Sequence, residues 1–90
     1  MNDLIGKLVV STSGRDDKNI YLVYTVNGKY AYLVDGNYRK FINPKKKNLK
    51  HLKVLNAESE TIRDKINKNL KVFDSEIYSF IKKYKKEIEI

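Results

Sequence analysis

Ile20-Tyr21-Leu22-Val23-Tyr24-Thr25-Val26-Asn27-Gly28-Lys29-Tyr30-Ala31-Tyr32-Leu33-Val34-Asp35-Gly36 is the stretch on which the fold turns. Two β-branched and aromatic runs are separated by Asn-Gly, and the second is closed by Asp-Gly. Both pairs supply the positive φ angles of a two-residue type I′ hairpin. Strands over Ile20–Val26 and Tyr30–Val34 follow, with a further strand over Tyr38–Ile42, and the three form an antiparallel meander. Upstream, Leu4–Ser11 reads as the first strand; downstream, Leu49–Leu55 reads as the fifth. Pro44 has no backbone donor, which assigns Asn43–Asn48, with Lys45, Lys46 and Lys47, to a connecting loop. Five strands in so short a chain leave exposed edges unless the sheet curls, and a small SH3-like barrel is the economical closure.

After Leu55 the period changes. Ile62, Ile66, Leu70 and Phe73 recur at helical spacing, with a break expected near Asn67–Asn69. Ile77, Phe80, Ile81, Tyr84 and Ile88 form one apolar stripe behind Asp74, a favourable N-cap. The expected fold is mainly β with an α tail: one domain over 1–90, a barrel over 1–55 and two short helices over 56–90 packed on it.

The chain has 90 residues and no cysteine, which removes disulfides, thiolate chemistry and cysteine-based zinc sites. One histidine, His51, cannot build a His-rich metal site, and no carboxylate or nucleophile accompanies it in sequence. No enzyme activity, cofactor, metal or small-molecule substrate is expected, and catalytic residues are assigned to none. Met1–Val10 is broken by polar residues and no apolar run is long enough to cross a bilayer, so a cytoplasmic monomer without membrane contact is expected.

The net charge of +8 is concentrated. Residues 1–34 and 54–90 each carry a net +1, whereas Asp35–Lys53 carries +6 through Arg39, Lys40, Lys45, Lys46, Lys47, Lys50 and Lys53. A general lysine bias of composition would not respect such boundaries. Local concentration suits a polyanionic partner; the plainer reading is a solvated edge whose lysines prevent strand pairing. Tyr38, beside Arg39, is a candidate for base stacking, although tyrosine is also ordinary strand filling. The lysine face of the last helix reads as solvated.

Gly6–Val23 is a strand, a polar loop containing Gly14, and a second strand. In it Arg15 and Lys18 project from the tip, and Asp16 and Asp17 turn the loop through bonds to nearby backbone. Together with Val34-Asp35-Gly36-Asn37-Tyr38-Arg39-Lys40 and Asn43-Pro44-Lys45-Lys46-Lys47-Asn48-Leu49-Lys50-His51-Leu52, it resembles the bacterial KOW-domain RNA-binding proteins. These in turn are similar to KOW-containing large-subunit ribosomal proteins of archaea and eukaryotes. The tail fits the same pattern. One departure is Lys18-Asn19, where relatives carry a second glycine; Asn19 is then the candidate for the left-handed position. The resemblance implies RNA contact by the Gly14–Lys18 loop and the basic segment, and association with ribosomal particles, without specifying which RNA. The candidate RNA-contacting residues are Gly14, Arg15, Lys18, Tyr38, Arg39, Lys40, Lys45, Lys46, Lys47, Lys50 and His51. The rival reading is a protein-interaction module that meets a ribosomal or transcription-complex protein through the barrel surface.

Overall fold

The computed structural model describes residues 3–88. Met1 and Asn2, at the head of the N-terminal segment read above, lie outside the described residues, as do Glu89 and Ile90. The elements run β1 (Lys7–Ser11), β2 (Ile20–Asn27), β3 (Tyr30–Val34), β4 (Lys45–Asn48), a 3-10 turn (Leu49–His51), β5 (Leu52–Glu58), α1 (Glu60–Asn67) and α2 (Asp74–Ile88). All five strands belong to one antiparallel sheet in the order β4-β3-β2-β1-β5.

The β2–β3 hairpin forms, one residue later than the Asn-Gly signal suggests. Asn27 pairs with Tyr30, so Gly28-Lys29 is the central pair and only Gly28 takes positive φ, the type II′ pattern. The Asp35-Gly36 hairpin does not form, and Tyr38–Ile42 is not a strand. Asp35 instead accepts the backbone N–H groups of Asn37 and Arg39 through Oδ1, both at 2.8 Å, and folds residues 35–39 back on themselves. The fourth strand is the triple lysine itself. Lys45, Lys46 and Lys47 pair with Leu33, Tyr32 and Ala31, and Pro44 lies just before the strand, where a missing donor costs nothing. β5 starts at Leu52 rather than Leu49, because Leu49–His51 is spent on the turn.

β4 and β5 are the two edges and do not pair with each other among the described residues, so the sheet is open rather than closed by hydrogen bonds. It is nonetheless bent. The outer strands of a flat five-stranded sheet would lie about 19 Å apart. The chain from Asn48 to Leu52 spans at most about 14 Å even fully extended. Irregular register between Lys7 and Val9 and between Val23 and Thr25 supplies local bends. The turn then bridges the edges: Leu49 N–H donates to Lys29 O and Thr12 N–H to His51 O, both at 2.9 Å.

Alternation along the strands gives each face its own core. Leu8, Leu22 and Val34 meet Ile62, Ile77 and Ile81 of the helices, while Val9, Tyr21, Val23, Ala31 and Leu33 pack with Leu49 and Leu52 on the concave face. Each fully buried Val, Leu or Ile among them stabilises the fold by roughly 1.5–3 kcal/mol. α1 is capped by Ser59, whose hydroxyl accepts Ile62 N–H, and ends before Asn69, which takes positive φ. Leu70 and Phe73, read as part of the helical stripe, fall beyond that break and are exposed. Asp74 does not act as the expected N-cap: its Oδ1 accepts Phe41 N–H from the long β3–β4 loop. The Glu76 carboxylate reaches back to Phe73 N–H instead, the return arm of a capping box. No described helix is long and apolar enough to cross a membrane.

Candidate nucleic-acid interface

Ser11, Gly14, Asp16 and Lys18 shape the loop between β1 and β2. Gly14 has φ +83 and lies at the exposed tip, and its carbonyl accepts Asp17 N–H. The second left-handed residue is Lys18 (φ 71), not Asn19. Its N–H donates to Ser11 O while Ser11 N–H donates to Asn19 O, which closes the base of the loop. Arg15 and Lys18 are exposed, and neither side chain has an ion-pair partner among the described residues.

Asp16 does something the sequence did not disclose. Rather than bonding nearby backbone, its buried carboxylate accepts the Ser11 hydroxyl at 3.0 Å and the Lys47 ammonium at 2.6 Å. Lys47 Nζ also donates to Ser13 O at 2.8 Å, and Lys45 Nζ stands 3.6 Å from Asp16 Oδ2. Burial alone would push the Asp16 carboxyl up. The hydrogen bonds from Lys47 and Ser11, with the charges of Lys45 and Lys47, outweigh burial and hold it below its ordinary value. Only 12% of the Lys47 side chain is exposed. Lys47 is therefore a tether between β4 and the loop, and its charge is largely spent on Asp16.

Alternation splits the lysine triplet. Lys45 and Lys47 turn towards the loop, whereas Lys46 turns the other way and sets its ammonium 4.4 Å from the Tyr30 ring centre, with Lys29 at 5.7 Å from the same ring. Lys50 is exposed in the 3-10 turn, where its backbone N–H is capped by Asn48 Oδ1. His51 is half-buried, and its carbonyl holds Thr12. Arg15, Lys18, Lys46 and Lys50 thus ride on segments fastened to one another by the Lys47–Asp16 and Thr12–His51 bonds.

Tyr38, Arg39 and Lys40 sit elsewhere. With no strand over Tyr38–Ile42, Arg39 and Lys40 do not alternate across a sheet. They belong to the β3–β4 loop, which packs on the start of α2 through Phe41–Asp74 and through Gly36. Arg39 is half-buried and its carbonyl accepts the N–H groups of Asp35 and Gly36; Lys40 is exposed, and Tyr38 is 87% exposed. This loop and Asn19, the last residue of the β1–β2 loop, line a common groove with α2.

Sequence reasoning missed Asp16 and Ser11 as organisers of the site and Lys29 as a neighbour of Lys46. No local signal marks a lysine and a carboxylate 31 positions apart as partners. Searches against protein-family models and against curated proteins find no match for this chain.

Proposed function

We propose that this protein binds structured RNA, with ribosomal RNA as its target, through the β1–β2 loop and the adjoining lysine-bearing edge, and that it recognises backbone shape and charge rather than base sequence. The observation that carries the reading is the tether from Lys47 to Asp16 and Ser13, which joins the loop to the most basic part of the chain. Arg15, Lys18, Lys46 and Lys50 are then carried on segments already fastened to one another, and a preorganised backbone presents several cations at lower entropic cost. Arg15 can grip a phosphate with two parallel bonds, while the lysines act as point charges. The bent sheet and its bridging 3-10 turn are in keeping with an SH3-like KOW unit, and the resemblance to KOW-domain proteins favours a ribosomal target.

The test is crosslinking in cells followed by sequencing of the bound RNA. Enrichment of ribosomal RNA is expected; a well-expressed protein that recovers none above background would remove this function. One observation favours the second reading, a protein-interaction module: Ile42, Leu70 and Phe73 are large apolar side chains left exposed. Partner capture that withstands nuclease treatment and the substitutions Lys46→Glu and Lys50→Glu would select it.

A further inference from the structure

We propose that the groove between α2 and the β3–β4 loop takes one unpaired base of the bound RNA, stacked on Tyr38 and Tyr78, with the flanking phosphates on Lys82 and Lys85. The inference rests on the RNA-binding reading and adds to it a site for a bulged or flipped nucleotide.

Four observations carry it. The groove, about 280 Å³, has an aromatic ring on each bank, Tyr38 from the loop and Tyr78 from the helix, and both side chains are exposed. Lys82 and Lys85 follow Tyr78 along the same helix and line the same groove, so cations stand beside the rings, the combination that single-stranded nucleic acid requires. Asn37 offers a carboxamide that can both donate to and accept from a base edge, and Asn19, whose Nδ2 donates to the Tyr21 hydroxyl at 3.4 Å, adds an acceptor oxygen. One acid also lines the groove, Asp35, but its Oδ1 is engaged by the N–H groups of Asn37 and Arg39.

The banks are also locked together, so the groove that the two tyrosines line is held by the fold. Gly36, at φ +78, brings the loop so close to α2 that a Cβ there would lie 2.2 Å from Asp74 O and 2.7 Å from Tyr78 N. Phe41 N–H donates to the Asp74 carboxylate at 3.0 Å from the far side of the same loop. A ring as exposed as Tyr38, held on a clamped loop that shares its groove with Tyr78, is available to a planar ligand. Asn19 lines the groove and ends the β1–β2 loop, so an RNA backbone tracked by Arg15 and Lys18 would carry a displaced base to this position.

The test compares two RNA hairpins of the same stem, one fully paired and one with a single bulged 2-aminopurine, titrated into the full-length protein. Tighter binding of the bulged hairpin by roughly five- to a hundredfold is expected, the range that stacking one base on aromatic rings supplies, with quenching of the 2-aminopurine emission. Tyr38→Ala should abolish both the preference and the quenching, and Tyr38→Phe should keep them; the exposure of Tyr38 leaves the fold indifferent to either change. Equal, tight binding of both hairpins would overturn the base site and leave the RNA-binding reading intact. A preference that persists in Tyr38→Ala would overturn the assignment to this groove. Failure of both hairpins to bind would overturn both readings.

Discussion

Replacement of Lys47 by methionine should separate the three consecutive lysines into a structural residue and its neighbours. Lys47 makes two charge-assisted hydrogen bonds, to Asp16 at 2.6 Å and Ser13 at 2.8 Å, against a carboxylate side chain only 8% exposed. Removing one partner of a buried pair typically costs about 3–5 kcal/mol, because the other charge is left without compensation. Here Lys45, already 3.6 Å from Asp16 Oδ2, can close part of the gap, and Ser11 still donates. The expected loss is therefore about 2–3 kcal/mol. Lys46→Met removes only a partly exposed cation–π contact, worth about 0.5–1 kcal/mol. In a domain of this size each kcal/mol moves the midpoint by roughly 4–8 °C, so Lys47→Met should melt about 10–20 °C lower and Lys46→Met no more than about 8 °C lower. Urea unfolding followed by circular dichroism at pH 7 gives the same comparison in free energy. The double variant with Asp16→Asn should cost less than the two single changes combined, since neither partner is then left charged and alone. Equal midpoints for the Lys46 and Lys47 variants, or strictly additive losses with Asp16→Asn, would refute the tether.

The same carboxylate sets the acid response. The folded Asp16 value is depressed, as is that of Glu76, which Lys65 and the Phe73 N–H hold down. Both therefore stabilise the fold above the unfolded carboxylate range and cease to do so as pH falls through the folded values. Unfolding free energy should decline below about pH 4, less steeply in Asp16→Asn; an unchanged acid profile in that variant would contradict the assignment. Gly36→Ala should loosen α2 and cost about 2–4 kcal/mol, since a Cβ would meet backbone on the helix, whereas Gly28→Ala, with open space around it, carries only the backbone strain of about 1 kcal/mol; thermal melts of the two variants decide. Arg15→Ala with Lys50→Ala should leave the melting temperature unchanged while making the slope of log affinity for RNA against log salt shallower by roughly 1.4–1.8, for two lost phosphate contacts.

What could be read without coordinates follows the range over which each signal acts. β2 and β3 were legible because their alternation and the Asn-Gly turn are local, and Tyr30–Val34 is found at its expected bounds. β4 was not, because a Lys-Lys-Lys-Asn strand has little intrinsic preference to be one; it is made by pairing with β3 and by the stacking of Lys46 on Tyr30. Asp35-Gly36 misled for the opposite reason: its local chemistry suits a hairpin, but the Asp35 carboxylate folds the loop around itself and Gly36 is needed against α2. In the candidate site, Arg15, Lys18 and Lys50 are exposed, as polar loop and turn positions in the sequence suggest. That Lys47 is spent on Asp16, and that Tyr38 lines a groove with α2, depends on the bend of the sheet and on the packing of the tail.

A titration of the protein into a structured ribosomal RNA fragment at salt concentrations from 50 to 200 mM, followed by amide chemical shifts, tests the central claim most directly. With about four phosphates engaged by Arg15, Lys18, Lys46 and Lys50, the slope of log affinity against log salt should lie near −2.8 to −3.6, with the largest shifts around Gly14, Lys46 and Lys50. Weak association that is indifferent to salt, or binding that leaves the Gly14 and Lys46 amides in place, would contradict it.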